Sequence, residues 1–178
     1  MKTILSRQDI LHLIQQQPPL VEDFIKLEDQ VQPNGFDLTL REVAVFQSGG
    51  RIALTNAQRQ LSNLQPLSYD REDYLDLAAG SYMITYNEIV NLPKNVMALG
   101  APRSSLLRCG VTVHMAVWDA GYSGRSQSLM VVFNPAGFRV QRNARVAQLV
   151  FMELAYETEG YRGIYQGENI SHQSRGCT

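Results

Sequence analysis

The sequence predicts a predominantly β protein, a barrel or sandwich of short strands with one short helix near its N-terminus. Three observations predict it. Strand-like apolar runs recur along most of the chain, Gly and Pro punctuate them at near-regular spacing, and a single segment carries a helical period. At 178 residues the chain suits one domain, and no internal repeat is visible.

Ser6-Arg7-Gln8-Asp9 has the pattern of a helix cap with an acid three residues on. Ile10, Leu11, Leu13 and Ile14 follow at helical spacing, and the Gln15–Pro19 run ends the segment, so a helix is expected over about 6–16. Gly35–Leu40 and Glu42–Phe46 alternate as strands before the Ser48-Gly49-Gly50 turn. Residues 55–76 are polar, without a clear period, and read as a surface excursion. Strands resume at Ser81–Tyr86, Val96–Leu99, Val111–Val117, Ser128–Phe133, Phe138–Val140 and Val146–Leu154. From Tyr161 the chain turns glycine-rich and polar. This divides it into a single domain over 1–160 and a flexible arm over 161–178, frayed or ordered only over a ligand or neighbouring subunit.

Hydrophobic residues make up 44% and charged residues 19%, enough apolar material for a core. A net charge of −1 argues against a uniformly basic nucleic-acid binder and against an acidic solvating tail. No run approaches the ~18 apolar residues of a membrane helix. The N-terminus turns polar too soon for a signal peptide. Cys109 and Cys177 have no metal-ligand spacing, so a reducing cytoplasm is the expected compartment, with neither nucleic acid nor membrane as partner.

The charge is unevenly spread. Between Ile89 and Met152 stand seven bases (Lys94, Arg103, Arg108, Arg125, Arg139, Arg142, Arg145) and one acid, Asp119. A core-strand span is poor in acids anyway, but that does not account for seven cations, and an anionic ligand does. Within the span, Arg103-Ser104-Ser105 combines a planar fork of donors with two hydroxyls, a set suited to phosphate. Alone it would equally suit a turn or helix cap. Further on, an apolar strand delivers Asp119 at its end, followed by Tyr122 between Gly121 and Gly124. A carboxylate there can deprotonate a water, although Asp also starts turns well. His114, inside the strand-like run, reads as a packed residue rather than a catalytic one.

These residues resemble the deoxyuridine triphosphatase and deoxycytidine triphosphate deaminase superfamily. Gln32–Leu38 resembles its first motif, Arg103–Leu106 its second, Val111–Gly124 its third and Asn143–Phe151 its fourth, in the family's order. Residues 47–80 contribute nothing to the likeness. Tyr165-Gln166-Gly167 is similar to the deaminase branch's C-terminal segment. The resemblance implies a β-clip, or distorted jelly-roll barrel, assembled as a homotrimer with shared sites. It implies Asp119 as the water-activating base and phosphate contacts from Arg103, Ser104, Ser105 and Gln148; in the tail, Tyr165, Gln166 and Arg175 carry further groups suited to phosphate. The nucleoside would lie against Val111, Val113, His114, Ala116, Val117 and Tyr122, with Tyr122 on the sugar. Mg²⁺ would ride on the phosphates, one of its waters held by Asp37, and the arm would close the site.

The departures separate the branches. A deaminase needs a Glu a few residues before Asn134, where this chain has Leu129 or Val131, depending on the end from which the segment is aligned. Neither can shuttle a proton to a pyrimidine ring. The interval from Arg103 to Asp119 is a residue or two shorter than is usual in the superfamily, and Arg108 matches a deaminase arginine. The expectation is a deaminase-like triphosphatase that hydrolyses deoxyuridine triphosphate. The alternatives are a deaminase, with one activity or both, and a catalytically silent nucleotide-binding module.

Overall fold

The computed structural model describes residues 4–170. In chain order the elements are α1 (Arg7–Ile14), β1 (Val21–Glu22), α2 (Leu27–Gln30), β2 (Val31–Gln32), β3 (Gly35–Phe46), β4 (Leu64–Pro66), β5 (Tyr74–Leu77) and β6 (Gly80–Tyr86). They continue with β7 (Ile89–Asn91), β8 (Val96–Pro102), α3 (Ser104–Arg108), β9 (Val111–His114), β10 (Ser123–Gly124), β11 (Gln127–Val132), β12 (Phe138–Gln141) and β13 (Arg145–Glu153). The β class read from the sequence is the one observed. The main sheet runs β8-β13-β3-β6-β11-β9, with β2 and β4 also on β3, and two smaller sheets join β1-β7-β10 and β12-β5.

β3 organises the molecule. Its first half pairs with β13 and its second with β6, and the register shifts between Leu40 and Glu42 where it changes partner. Such a bulge bends a strand and raises its twist, which lets one strand serve two parts of a curved sheet. Arg41 and Glu42 face solvent at the bend. They break the apolar pattern, which is why the sequence reads as two strands. Gly35–Leu40 is buried at every residue, so the alternation expected there gives way to a strand covered on both faces. Phe36, Leu38 and Leu40 meet Ile84 and Tyr86 of β6, Met130 of β11, and Leu149 and Phe151 of β13 in one core.

The helix forms where its cap signals place it. The Asp9 N–H donates to Ser6 Oγ at 3.4 Å and the Ser6 N–H to Asp9 Oδ2 at 3.0 Å, closing the capping box. The helix ends at Ile14, and its Ile10 is wholly buried. The 55–76 excursion differs from expectation. It supplies β4, paired with β3, and β5, paired with β12. All three residues of β4 are exposed, so backbone hydrogen bonds place it without an apolar period to announce it. The strand expected over Val111–Val117 leaves the ladder after His114, and Trp118 then bridges Ala98 of β8.

Candidate active site

A cavity of about 480 Å³ opens beside β9 and β11. The 114–119 segment and Ser126–Leu129 form one side, Phe46, Leu61 and Leu64 another, and Tyr161, Tyr165 and Glu168 its rim. Of the expected nucleoside contacts, His114, Ala116, Val117 and Tyr122 line it. Val111 and Val113 do not: their side chains are buried in the core, which leaves their backbone as what that stretch offers a ligand. Leu61, Ser62 and Leu64 come from the stretch the sequence left without a role.

Asp119 is held at the cavity by its neighbours. Trp118 and Ala98 exchange backbone hydrogen bonds at 3.0 and 3.1 Å, which ties the segment to β8. Gly100 eases the approach: a Cβ there would stand 2.2 Å from Met115 Sδ and 3.2 Å from the Trp118 ring. After Trp118 the chain turns. The Tyr122 N–H donates to the Asp119 carbonyl at 3.1 Å, and Gly121 takes φ 81°, a left-handed conformation that favours glycine. Asp119 therefore both opens a turn and presents an exposed carboxylate at the cavity, unpaired among the described residues.

Tyr122 is a buried wall of the cavity. Its phenol oxygen lies 3.0 Å from Ser126 Oγ and donates to Glu168 at 2.8 Å, and its ring meets Tyr161 edge-on at 5.8 Å. Burial pushes the phenol's pKa up, opposed by the Ser126 hydrogen bond. Glu168 shares the environment: burial raises its carboxyl above the usual range, opposed by the hydrogen bond from Tyr122.

Residues 161–170 of the expected arm lie along this turn. The Tyr161 N–H donates to Ala120 at 2.8 Å and the Gly167 N–H to Ser123 at 2.7 Å, while Arg125 donates its N–H to Glu168 at 2.9 Å. Gln166 accepts from the Ser123 N–H and donates to the Gly121 carbonyl, each at 3.1 Å, so both ends of its amide are engaged. Tyr165 lines the cavity. Arg175 lies outside the described residues.

The phosphate-type residues gather elsewhere. Arg103 follows β8, its N–H donating to the Val146 carbonyl at 3.1 Å, and its guanidinium pairs with Asp37. Arg145 also reaches Asp37 Oδ2, at 3.3 Å. Gln148 stands in register with Asp37 on one side and Ala101 on the other. Gly35 admits it, since a Cβ there would stand 2.9 Å from Gln148 Nε2 and 2.4 Å from the Leu149 carbonyl. Ser104 and Ser105, both exposed, open α3 next to Arg103. Burial pushes the Asp37 carboxyl up, opposed by the charges of Arg103 and Arg145. Sequence reasoning missed Arg145 as a member of this cluster. The signal for it was the position three residues before Gln148.

The two groups are apart within one chain. Ala98 anchors the Asp119 segment, whereas Arg103 lies beyond the far end of the same strand, roughly 17 Å away at about 3.3 Å per residue.

Residues 4–154 match the dCTP deaminase-like family. The chain belongs to this family. It is 46% identical over 169 residues to the probable deoxyuridine 5′-triphosphate nucleotidohydrolase of Methanosarcina mazei, covering 94% of this chain and 99% of that protein. To the deoxyuridine 5′-triphosphate nucleotidohydrolase of Methanocaldococcus jannaschii it is 37% identical over 141 residues, 79% of this chain and 89% of that protein. Among solved structures, the 2′-deoxycytidine 5′-triphosphate deaminase of Agrobacterium tumefaciens superimposes with a TM-score of 0.66 at 22% identity, over 85% of this chain and 48% of that one. The fold expected from the resemblance is thus the family's own. Within the family, β11 carries the informative position. Leu129 and Val131, the two positions at which the alignments put a deaminase-like Glu, are both apolar, and Leu129 lines the cavity beside Gln127 and Ser128. The second carboxylate lining the cavity is Glu168, which comes from the C-terminal segment beyond the family match.

Proposed function

We propose that this chain hydrolyses deoxyuridine triphosphate to the monophosphate and pyrophosphate, with Asp119 as general base for the water that attacks the α-phosphate. The observation that carries the reading is the unpaired carboxylate of Asp119 at a nucleoside-sized cavity whose β11 wall, Gln127, Ser128 and Leu129, carries no acid. A base there deprotonates water, and a β11 wall without an acid gives no proton shuttle to a ring carbon. The names of relatives at 46% and 37% identity support the same substrate.

The pyrimidine and sugar occupy the cavity, bounded by His114, Ala116, Val117 and Tyr122, and Tyr122 crowds a ribose 2′-hydroxyl. Arg103, Ser104, Ser105 and Gln148 hold phosphate oxygens, and their distance from Asp119 along β8 supports a site shared with a second copy of the chain. Ala98, which anchors the Asp119 segment, and Arg103 stand roughly 17 Å apart at about 3.3 Å per residue along one strand, a long span for one triphosphate to bridge. An assembly that sets the Arg103 cluster of one subunit against the Asp119 cavity of the next resolves this, and a closed homotrimer is the form we propose. Tyr165, at the rim, is our candidate for a further contact to the phosphate chain, as is Arg175, whose guanidinium suits phosphate.

Mg²⁺ suits this site as a cation carried by the nucleotide. Among the described residues no group of three or more His, Cys, Asp or Glu side chains could cage a metal. Mg²⁺ keeps several waters and needs few protein carboxylates, and its chemistry here is charge neutralisation across the phosphates. The resemblance assigns Asp37 to one of its waters, but in this fold the Asp37 carboxylate is buried and paired with Arg103 and Arg145, so it would reach a water only by giving up part of that contact.

The test is a nucleotide panel with Mg²⁺, read for pyrophosphate and for ammonia. Pyrophosphate from deoxyuridine triphosphate without ammonia from deoxycytidine triphosphate is the expected result. Metal-independent ammonia release would establish a deaminase instead, and no turnover at all a silent nucleotide-binding module.

A further inference from the structure

The buried hydrogen bonds beside Asp119 form a chain with a fixed direction. Trp118 Nε1 can only donate, and it gives its hydrogen to Ser126 Oγ at 2.6 Å. Tyr122 has one hydrogen and places it on Glu168 Oε1 at 2.8 Å. The remaining contact, Ser126 Oγ to Tyr122 Oη at 3.0 Å, is therefore the serine donating to the tyrosine. The sequence Trp118 to Ser126 to Tyr122 to Glu168 starts at the residue before Asp119 and ends on a carboxylate from the C-terminal segment. In a low-dielectric site such bonds polarise and reinforce one another, and the terminal acceptor sets the direction of the whole.

The backbone is arranged to deliver that acceptor. Gly167 and Gln166 pin the segment to Ser123 and Gly121, and on the other side of Glu168 the Asn169 amide donates to the Arg125 carbonyl at 2.9 Å. Gly124 leaves the room: a Cβ there would stand 2.4 Å from the Tyr122 phenol oxygen and 3.2 Å from Glu168 Cγ.

We infer that Glu168 is a positioning residue for sugar selection, holding the Tyr122 ring at the angle from which it rejects a 2′-hydroxyl. This rests on the reading of Tyr122 as the sugar-side wall. Without Glu168 the phenol loses its acceptor, the ring gains freedom about its side-chain bonds, and the wall yields to a ribose.

The experiment measures kcat and KM for deoxyuridine triphosphate and for uridine triphosphate in the full-length chain and in Glu168→Ala, Glu168→Gln, Tyr122→Phe and the Tyr122→Phe/Glu168→Ala double variant. The sequence holds one tryptophan, Trp118, so its emission reports the hydrogen-bond chain without turnover. Glu168→Ala should cut the deoxy-to-ribo ratio of kcat/KM at least fivefold and shift the Trp118 emission. Glu168→Gln, whose amide oxygen still accepts, should stay within about twofold of wild type. Tyr122→Phe should lose discrimination to a similar extent, and the double variant should be no worse than either single one. If Tyr122→Phe changes the ratio and Glu168→Ala does not, the role of Glu168 is overturned while the wall reading stands. If neither changes the ratio although both fold and hydrolyse deoxyuridine triphosphate, the wall reading falls and the inference with it.

Discussion

Gly100→Ala adds one methyl outside the cavity lining, and the structure makes it a test of how Asp119 is held. The new methyl would stand 2.2 Å from Met115 Sδ and 3.2 Å from both Leu149 Cδ2 and Trp118 Cζ3. Overpacking a core costs about 1–3 kcal/mol. The closest atom belongs to the far end of a flexible, half-buried methionine, which can swing, so the lower part of that range applies, about 1–2 kcal/mol. For a chain of this size each kcal/mol moves the melting point by about 2–4 °C, which gives a fall of roughly 2–8 °C. The larger effect is on catalysis. Met115 and Trp118 lie on the segment that delivers Asp119, and misplacing a catalytic group by about 1 Å can cost 10²-fold. We expect kcat to fall about tenfold or more, with KM changing less, because the Arg103 cluster lies beyond the other end of β8.

Calorimetry and steady-state pyrophosphate release on one preparation measure both effects, and Trp118 emission reports the displacement. Met115→Ala in the Gly100→Ala background removes the clashing sulfur and should recover most of the lost kcat, a coupling visible in a double-variant cycle. Wild-type kcat and unmoved emission in Gly100→Ala would refute the reasoning, since the 115–119 segment would then not depend on its close approach to β8.

Asp119→Asn should lower kcat by about 10²–10⁴-fold with little change in stability or nucleotide affinity, since the carboxylate is exposed and unpaired; near-wild-type turnover would remove it from the mechanism. Mixing Asp119→Asn with Arg103→Ala subunits after dissociation should restore part of the activity that neither has alone, because a mixed assembly can place an intact Asp119 cavity against an intact Arg103. Activity no greater than the sum of the two parents would refute the shared site. A chain ending at Glu159 should stay folded and keep its oligomeric state yet turn over at least about tenfold more slowly, having lost the rim of the cavity and the acceptor for Tyr122. Circular dichroism, elution volume and turnover decide this, and either full activity or aggregation would contradict it.

What was legible in the sequence follows the range of each signal. Ser6 and Asp9 bracket a helix start through contacts three residues apart, so the cap could be read directly. The strands with buried apolar faces announced themselves, whereas β4 did not, because an exposed strand held by backbone bonds to β3 has no reason to carry an apolar period. The bend in β3 was hidden for the opposite reason: two exposed charged residues at a bulge look like the end of a strand. In the site, Arg103, Gln148 and Asp37 were legible as separate motifs. That Arg145 joins them depends on the pairing of β13 with β3, a contact between residues more than a hundred positions apart.

Glu168 illustrates the same limit at the cavity. Read along the chain, no acid stands between Asp119 and Glu153, so β11 brings none to the cavity, where it presents Gln127, Ser128 and Leu129. A second carboxylate nevertheless lines the cavity, carried by a segment whose glycines and polar residues give it no core of its own. What places it is a series of hydrogen bonds to the 120–125 turn, which itself exists because Asp119 and Gly121 close it. The turn that presents the Asp119 carboxylate is thus also the platform on which the C-terminal segment docks. A displacement of that turn therefore moves the carboxylate of Asp119, the phenol of Tyr122 and the acceptor on Glu168 together.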